Sequence, residues 1–390
     1  MYTTRPLSLY KNTPDALSQP PDGPNSGYLV IQDEESTPTC CFGLCKNPAI
    51  KDLPFPQNKL LTIEYHVQSG ESQYHSYDEV YLIPVINQPL SSNLYYAIKA
   101  DGKHKGEAYA SSKEDDKITC CFCIPCIKDV KPRPFNVNDI YQQFEFCVKK
   151  TYFNTNMLLA KSAASDGHPP NFLRRSGWQM NGKTPKNFTM EEVSGVNSTL
   201  RARLPDLNFP ITLQCSNPVV VGKWYCPFMF VKEGTKKDQI RNSVFYEMSL
   251  EQRWERVFNI ENDGYSQEKV VIVDTVVPTK VVRIEGQQSE EMYDSNENEV
   301  VWFKSKDDEV GLSKLVVERM RWEEERVGWV RGEEDKQVRV VKEEVYGGVI
   351  GWRCFGCYVL VESFVLRRND SSVVLNFDFM HNHQVRSKWE

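Results

Sequence analysis

One phrase in this chain is written twice. TCCFGLCKNPAIKDLPFPQN runs from Thr39 to Asn58, and TCCFCIPCIKDVKPRPFNVN from Thr119 to Asn138. Thr39, Cys40, Cys41 and Phe42 recur as Thr119, Cys120, Cys121 and Phe122, and Pro54, Phe55 and Asn58 recur as Pro134, Phe135 and Asn138. The triplet Ile50-Lys51-Asp52 returns as Ile127-Lys128-Asp129, and each phrase leads into an alternating stretch, LTIEYHV (61–67) and QQFEFCV (142–148). Self-similarity at a fixed spacing marks a supersecondary unit used twice. Residues 28–160 are therefore expected to hold a duplicated β-rich unit, its two copies packed about a pseudo-two-fold axis.

Elsewhere apolar and polar residues alternate, the period of half-buried strands. DEVYLIPVI (78–86), SNLYYAIKA (92–100), NPVVVGKWYCPFMFVKEG (217–234), EKVVIVDTVV (268–277) and KVVRIEG (280–286) all read this way. The C-terminus reads as a β-hairpin, GCYVLVESFVLRR and VVLNFDFMHNHQV joined by NDSS, whose Asn, Asp and Ser supply turn chemistry. Helices are few. SLEQRWERVF (249–258) opens on Ser249 with Gln252 three residues on, as a capping box would. GLSKLVVERMRWEEERVGW (311–329) fits either period. Residues 161–200, rich in Ser, Pro, Gly and Asn, read as a long connection or an insertion, and the acidic stretch 286–299 as a flexible surface loop. The expectation is an α+β, β-rich protein with antiparallel sheets and few helices. Its regions would be a duplicated β-rich part (1–160), a connecting β/α part (161–265) and a C-terminal β-rich part (266–390) ending in the hairpin.

A net charge of −6 argues against a nucleic-acid partner, which would favour a basic excess. The N-terminus lacks the apolar run of a signal peptide, and no stretch approaches the length of a transmembrane segment. The expected location is cytoplasmic or nuclear, where thiols stay reduced and the sequons at Asn187, Asn197 and Asn369 have no role.

Twelve cysteines then invite a metal site. In extended segments Cys41 and Cys45 share a face, as do Cys121 and Cys123, with Cys126 completing a C-x-x-C pair; brought together they could offer thiolates to zinc. Their neighbours Phe42, Leu44, Phe122 and Ile124 favour the plainer reading, cysteines as small buried hydrophobes with no cofactor, or sites of S-acylation. Cys354 and Cys357 abut a strand and have no second pair nearby, which points to packing.

GWQMNGKT satisfies the phosphate-loop pattern through Gly177, Gly182, Lys183 and Thr184. Its context is wrong: PPNFLRRS before it is no buried strand, and Pro185 follows Thr184 where a helix should begin. HNH at 381–383 matches a nuclease motif in letters only and reads as a solvated or partner-facing strand end. GKHKG (102–106) is a small basic patch on a hairpin tip, able to meet an anion but more simply a solvated turn. No nucleophile elbow, zincin helix or dinucleotide glycine pattern is present, so no catalytic residue is assigned.

MYTTRPLSLYKNTPDALSQPPDGPNSGYLVIQDEE, the first cysteine phrase, GKWYCPFMFVKEG (222–234), ERMRWEEERVGW and CYVLVESFVLRRNDSSVVLNFDFMHNHQVRSKWE together resemble a plant-specific family of unknown function, some of whose members are labelled insecticidal crystal toxin domain proteins. The resemblance spans essentially the whole chain and implies a land-plant origin, but brings no activity, cofactor or catalytic residue. Pore-forming toxins need amphipathic hairpins, whereas the hairpin here is interrupted by Glu362, Arg367 and Asp378. Its tip, which in the family tends to carry glycine, reads Asn369-Asp370-Ser371-Ser372; Asn and Asp tolerate the left-handed conformation.

The leading expectation is a non-enzymatic binding or scaffold protein, serving stress or defence responses through an unidentified protein partner. The alternatives are an enzyme whose site is assembled from distant residues, and a thiol-based metal or redox sensor.

Overall fold

The computed structural model describes residues 1–40, 45–69, 72–120, 124–150, 156–262, 269–293, 299–330, 337–349 and 351–390. It divides into two compact units, the first holding Met1–Val193 with Pro227–Met229 and Gly234–Phe245, the second Ser194–Cys226, Phe230–Glu233 and Tyr246–Glu390. This division into units falls near residue 193 and is described apart from the regions expected at 1–160, 161–265 and 266–390. The protein is β-rich with mostly antiparallel pairing and few helices, as the alternation implied.

The first unit opens with β1 (Tyr2–Pro6), α1 (Leu7–Asn12) and β2 (Gly27–Ile31), the two strands pairing in parallel. Each cysteine phrase then makes a two-stranded antiparallel ribbon: β3 (Thr39–Cys40) with β4 (Cys45–Lys46), and β9 (Lys117–Cys120) with β10 (Ile124–Ile127). The remaining strands are β5 (Ala49–Ile50), β6 (Leu60–Ser69), β7 (Ser72–Pro84), β8 (Leu94–Lys99), β11 (Gln143–Lys150), β12 (Asn156–Ser162) and β13 (Gln179–Lys183). They form one sheet in the order β12-β11-β8-β7-β6-β13-β5. Its inward positions Leu61, Ile63, Val80, Leu82, Phe144 and Phe146 pack with Phe55, Tyr95 and Trp178. Buried Gln57 ties this core to β2, accepting from Val30 N at 2.6 Å and donating to the Leu82 carbonyl at 2.9 Å. The stretch 161–200, expected as a connection, instead supplies the short helix α2 (Asn171–Arg174) and β13, which sits between β6 and β5. A later segment of this unit forms α4 (Lys236–Asn242), capped by the Thr235 hydroxyl, which accepts from Asp238 N.

The second unit carries β14 (Gly195–Val196), α3 (Ser198–Arg203), β15 (Val219–Pro227), β16 (Val231–Lys232), β17 (Phe245–Glu261), β18 (Val270–Pro278), β19 (Lys280–Ile284), β20 (Gln287–Tyr293), β21 (Val300–Lys304), β22 (Glu309–Ser313), α5 (Lys314–Glu325), β23 (Gln337–Val345), β24 (Cys354–Arg367) and β25 (Val373–Trp389). Its main sheet runs β16-β22-β21-β20-β19-β25-β24-β17-β15, with β14 on β15, while β18 and β23 form a separate ribbon. The expected C-terminal hairpin is β24–β25.

Two expectations are corrected here. Residues 249–258 are not helical but lie within β17, paired along its length with β24. Leu250 and Trp254 are four apart, a spacing that also keeps them on one face of a strand, and the ladder settles the choice. Residues 287–293, read as part of a surface loop, form β20 between β19 and β21. A polar sequence can hold a strand when both edges find ladder partners. The ambiguous stretch 311–329 divides between the end of β22 and α5.

Candidate functional site

The second unit buries a set of charges. Arg201 (6 % exposed), Glu324 (0 %), Glu362 (1 %) and His381 (2 %) meet in its interior. Five elements bring them there. β17 and β24 place Gln252 directly opposite Glu362 in the ladder. Helix α3, capped by Asn197 whose side chain accepts from Leu200 N, delivers Arg201. The last turn of α5 delivers Glu323 and Glu324 from the face that also buries Val316, Val317 and Met320.

His381 is the last residue of β25 in regular register with β24, on the face that also carries Leu360 and Glu362, and an irregularity follows it. In the β24–β25 ladder Leu360 faces His381 while the next residue back, Val359, faces Val385, so Asn382, His383 and Gln384 are extra on one strand. Such bulges re-aim side chains and are frequent beside binding sites. Here His381 is buried while His383 beyond it is exposed, which corrects the reading of HNH as a solvated or partner-facing strand end at His381.

Arg201 binds both carboxylates. Its Nε donates to Glu362 Oε1 at 3.0 Å and Oε2 at 3.2 Å, its Nη2 to Glu324 Oε1 at 2.9 Å and also to Glu362, and its Nη1 to the Glu323 carbonyl at 3.1 Å. Gln252 Nε2 donates to Glu362 Oε1 at 2.6 Å and to the Arg201 carbonyl at 3.0 Å. His381 Nε2 lies 2.8 Å from Glu324 Oε2 and 3.3 Å from Glu362 Oε2. Around this centre Glu323 pairs with Arg319 and Arg326.

The two carboxyls titrate apart. Burial, reinforced by the charge of Glu362, pushes Glu324 up to about 8. Glu362 is also penalised by burial, yet hydrogen bonds from His381 and Arg201 outweigh it and hold the group below the ordinary carboxylate range. Burial disfavours His381 imidazolium, but its bonds to Glu324 and Glu362 win and raise it to about 9. The centre is therefore a cationic Arg201 about an ionised Glu362, with His381 and Glu324, which face each other, both holding protons more tightly than usual.

Above it lies a cavity of about 460 Å³, lined by Arg201, Gln252, Glu362, His381, Arg326, Ser198 and Gln384 on its polar side and by Ala202, Leu204, Val327 and Leu360 on its apolar side. That volume suits a small molecule. Glu324, Glu362 and His381 bring three possible ligand atoms within 4.8 Å of one another, a spacing a divalent cation could bridge. The Arg201 guanidinium already occupies that role, bound to both carboxylates.

The residues singled out in sequence are placed elsewhere. Cys41, Cys121 and Cys123 lie outside the described residues, and of Cys45 and Cys126 only the backbone is described, on β4 and β10. Cys354 and Cys357, three apart on β24, point to opposite faces; Cys357 joins an apolar cluster with Val271, Val273 and Phe355. Buried Cys226 is pushed up to about 12, the behaviour of an inert thiol. Of the phosphate-loop pattern, Gly182 and Lys183 belong to β13 and pair with Leu61 and Leu60, Gly177 takes φ +85° before the strand, and the Thr184 hydroxyl accepts from Lys59. No helix begins at Thr184, so the backbone amides do not converge on one point.

Arg201, Glu324 and Gln252 escaped the sequence reading. One sign was present: Arg319, Glu323 and Glu324 share the stripe of α5 that buries Val316 and Met320. A second was Glu362, one carboxylate in an otherwise buried strand.

Among the described residues no helix is long and apolar enough to cross a membrane. No curated protein matches this chain. Among solved structures, the crystal structure of Cry35Ab1 is similar at 10 % identity, covering 86 % of this chain and 90 % of that one, with a TM-score of 0.46. Residues 22–122 match a protein family whose description is protein of unknown function (DUF1262).

Proposed function

We propose that this chain is a non-enzymatic binding protein whose second unit holds a small amphipathic ligand with an acidic head group. The observation that carries this reading is the mutual commitment of the buried groups: each carboxyl oxygen of Glu362 and Glu324 is held by Arg201, Gln252 or His381, leaving none poised as a free base or nucleophile. Toward the cavity the lining offers Arg201, Arg326 and protonated His381 against one ionised carboxylate, with Leu204, Val327 and Leu360 for an apolar body. Native mass spectrometry of the purified protein tests this. A bound small acid should be present in the parent and absent from Ala202→Trp, which fills the cavity lining. No bound species, and no thermal stabilisation by any member of a panel of aliphatic and aromatic carboxylic acids, would sink the reading.

A second reading, an enzyme assembled from distant residues, draws support from Glu324, a carboxylic acid kept protonated near neutral pH beside a cavity. Glu324→Gln separates the two. A binding protein keeps its ligand in the isosteric variant, whereas an enzyme using that proton retains binding and loses turnover.

The wider proposal is a plant protein of the cytoplasm or nucleus acting in stress or defence, its N-terminal part a duplicated unit, with a protein partner. Support for the partner comes from the outward face of the β18–β23 ribbon, where Val270, Ile272, Val276, Val341 and Val345 are exposed beside Glu343 and the Asp274–Arg339 ion pair. Exposed apolar side chains set among polar ones are a usual mark of a docking face. Resident zinc at the cysteine phrases is not part of this proposal.

A further inference from the structure

The first unit contains a separate cavity of about 550 Å³, and the basic GKHKG turn forms one of its walls. That turn is shaped by positive φ at Gly102 (+68°), His104 (+67°) and Gly106 (+84°). At Gly106 a Cβ would also crowd Ile240 Cδ1 at 2.9 Å, so that side chain would have to shift. The turn thus presents Lys103 in a set direction toward the cavity.

Charge in the lining is unbalanced. Lys99, Lys103, Lys131 and Arg175 stand against Asp78 and Asp129, an excess of two cations (4 − 2) before His104 is considered. Asp129 is also partly spent, since it accepts from Asn171 N at 2.7 Å and pairs with Arg174 at 3.2 Å. Lys99 is held inside the site: its Nζ donates to Tyr109 Oη at 2.9 Å, and that hydroxyl donates to Asp78 Oδ1 at 3.3 Å. The Arg175 guanidinium carbon lies over the Tyr65 ring, 4.8 Å from its centroid, and its Nε donates to Asn171 Oδ1 at 2.9 Å. Lys103 and Lys131 are exposed and have no partner among the described residues.

Two uncommitted ammonium groups on separate loops therefore face one concavity. Its floor combines aromatic surface, Tyr109 against Phe172 at 4.7 Å between ring centroids, with the carboxylate of Asp78 and the amide of Asn171. Ammonium and guanidinium groups recognise phosphate oxygens. Carboxylate and amide groups recognise hydroxyls, and aromatic faces cover C–H surface.

We propose that this cavity is a binding site for a phosphorylated polyol, with Lys103, Lys131 and Arg175 on the phosphate and Asp78 and Asn171 on the hydroxyls. It is independent of the cavity in the second unit. The polyol could be a soluble sugar or cyclitol phosphate, or the head group of a phosphoinositide; the chemistry recognised is the same.

The full-length protein is tested by thermal shift with inositol trisphosphate, fructose bisphosphate, myo-inositol and inorganic phosphate. Co-sedimentation follows with phosphatidylcholine vesicles that contain or lack phosphatidylinositol bisphosphate. The comparison variant is Lys103→Glu with Lys131→Glu, both at exposed positions, so its melting curve without ligand should match the parent. The phosphorylated polyols should raise the melting temperature, inorganic phosphate should bind about tenfold more weakly, and myo-inositol should do nothing. The double variant should lose the response. Binding of phosphoinositide vesicles alone, lost in the same variant, supports the site with a lipid as its source. No response in either assay, a response as strong to inorganic phosphate, or an equal response in the double variant would overturn the proposal.

Discussion

At the scale of single residues, the interior of the second unit is an electrostatic compromise. Burying ions costs several kcal/mol each, and the cost is recovered only when every ion is paired and hydrogen-bonded. Arg201 satisfies this for two carboxylates at once, so its loss leaves buried charge without a counter-ion. Arg201→Met is expected to lower unfolding free energy by about 3–5 kcal/mol in urea titrations. The pH dependence follows from the same group of residues. A folded-state pKa above the unfolded value means the native state binds the proton more tightly, so that stability is full at low pH and lost as pH rises through the folded value. For His381 the window runs from 6.5 to about 9, and for Glu324 from 4.5 to about 8. Glu362 is depressed and works in the opposite sense, its contribution being lost as pH falls below 4.5. Raising the pH from 6.5 to 9 should therefore cost on the order of 4 kcal/mol, measured as a shift in urea midpoint. His381→Gln should flatten that slope.

At the scale of elements, local irregularities do the placing. The three extra residues of β25 reverse the facing of its end relative to a continuous ladder, so that His383 is exposed and Gln384 reaches the cavity wall, whereas His381 lies inside on the regular ladder. At the hairpin tip it is Ser371, not the expected Asn or Asp, that adopts φ +68°. Asp370 is used differently: its carboxylate accepts from the Ser372 amide and hydroxyl, closing the turn. A left-handed serine carries a penalty that glycine does not. Ser371→Gly should stabilise the protein by about 1 kcal/mol in chemical denaturation, and a loss of stability would show that the turn is held by side-chain bonds instead. β17 teaches a related point. Its Ser249 and Gln252 looked like a helix cap, but Gln252 is the ladder partner of Glu362 and a member of the buried network.

At the scale of the molecule, the two units carry two unlike cavities, one under a buried Arg–Glu–His centre and one ringed by partly free cations. The exposed valine and isoleucine side chains of the β18–β23 ribbon add a third feature, the docking face proposed above. Ile272 and Val341 are 65 % and 63 % exposed, so replacing both with Lys should change stability by no more than about 0.5 kcal/mol. The same change should abolish co-purification of a partner through this face. Elemental analysis of protein prepared under reducing, metal-replete conditions, beside Cys121→Ser with Cys123→Ser, is expected to find no stoichiometric zinc in either. Zinc in the parent alone would revive the sensor reading.

Much of the architecture was written locally. The period-two alternation announced the strands from β6 to β8, and NDSS between two β-branched runs announced the β24–β25 hairpin, because side-chain direction in a strand depends only on parity along the chain. Where parity was shared between helix and strand, as with Leu250 and Trp254, sequence could not choose, and the ladder with β24 did. The site was least legible. Arg201, Gln252, Glu324, Glu362 and His381 come from five separate segments, and nothing local records that they meet. Their ionisation is likewise a property of the assembled interior. Sequence alone determined that this chain would be β-rich and would close on a hairpin, since those follow from near-neighbour chemistry. Which charges would be buried together, and with which protons, was decided only by the tertiary structure, because burial and pairing depend on distances between residues far apart in the chain.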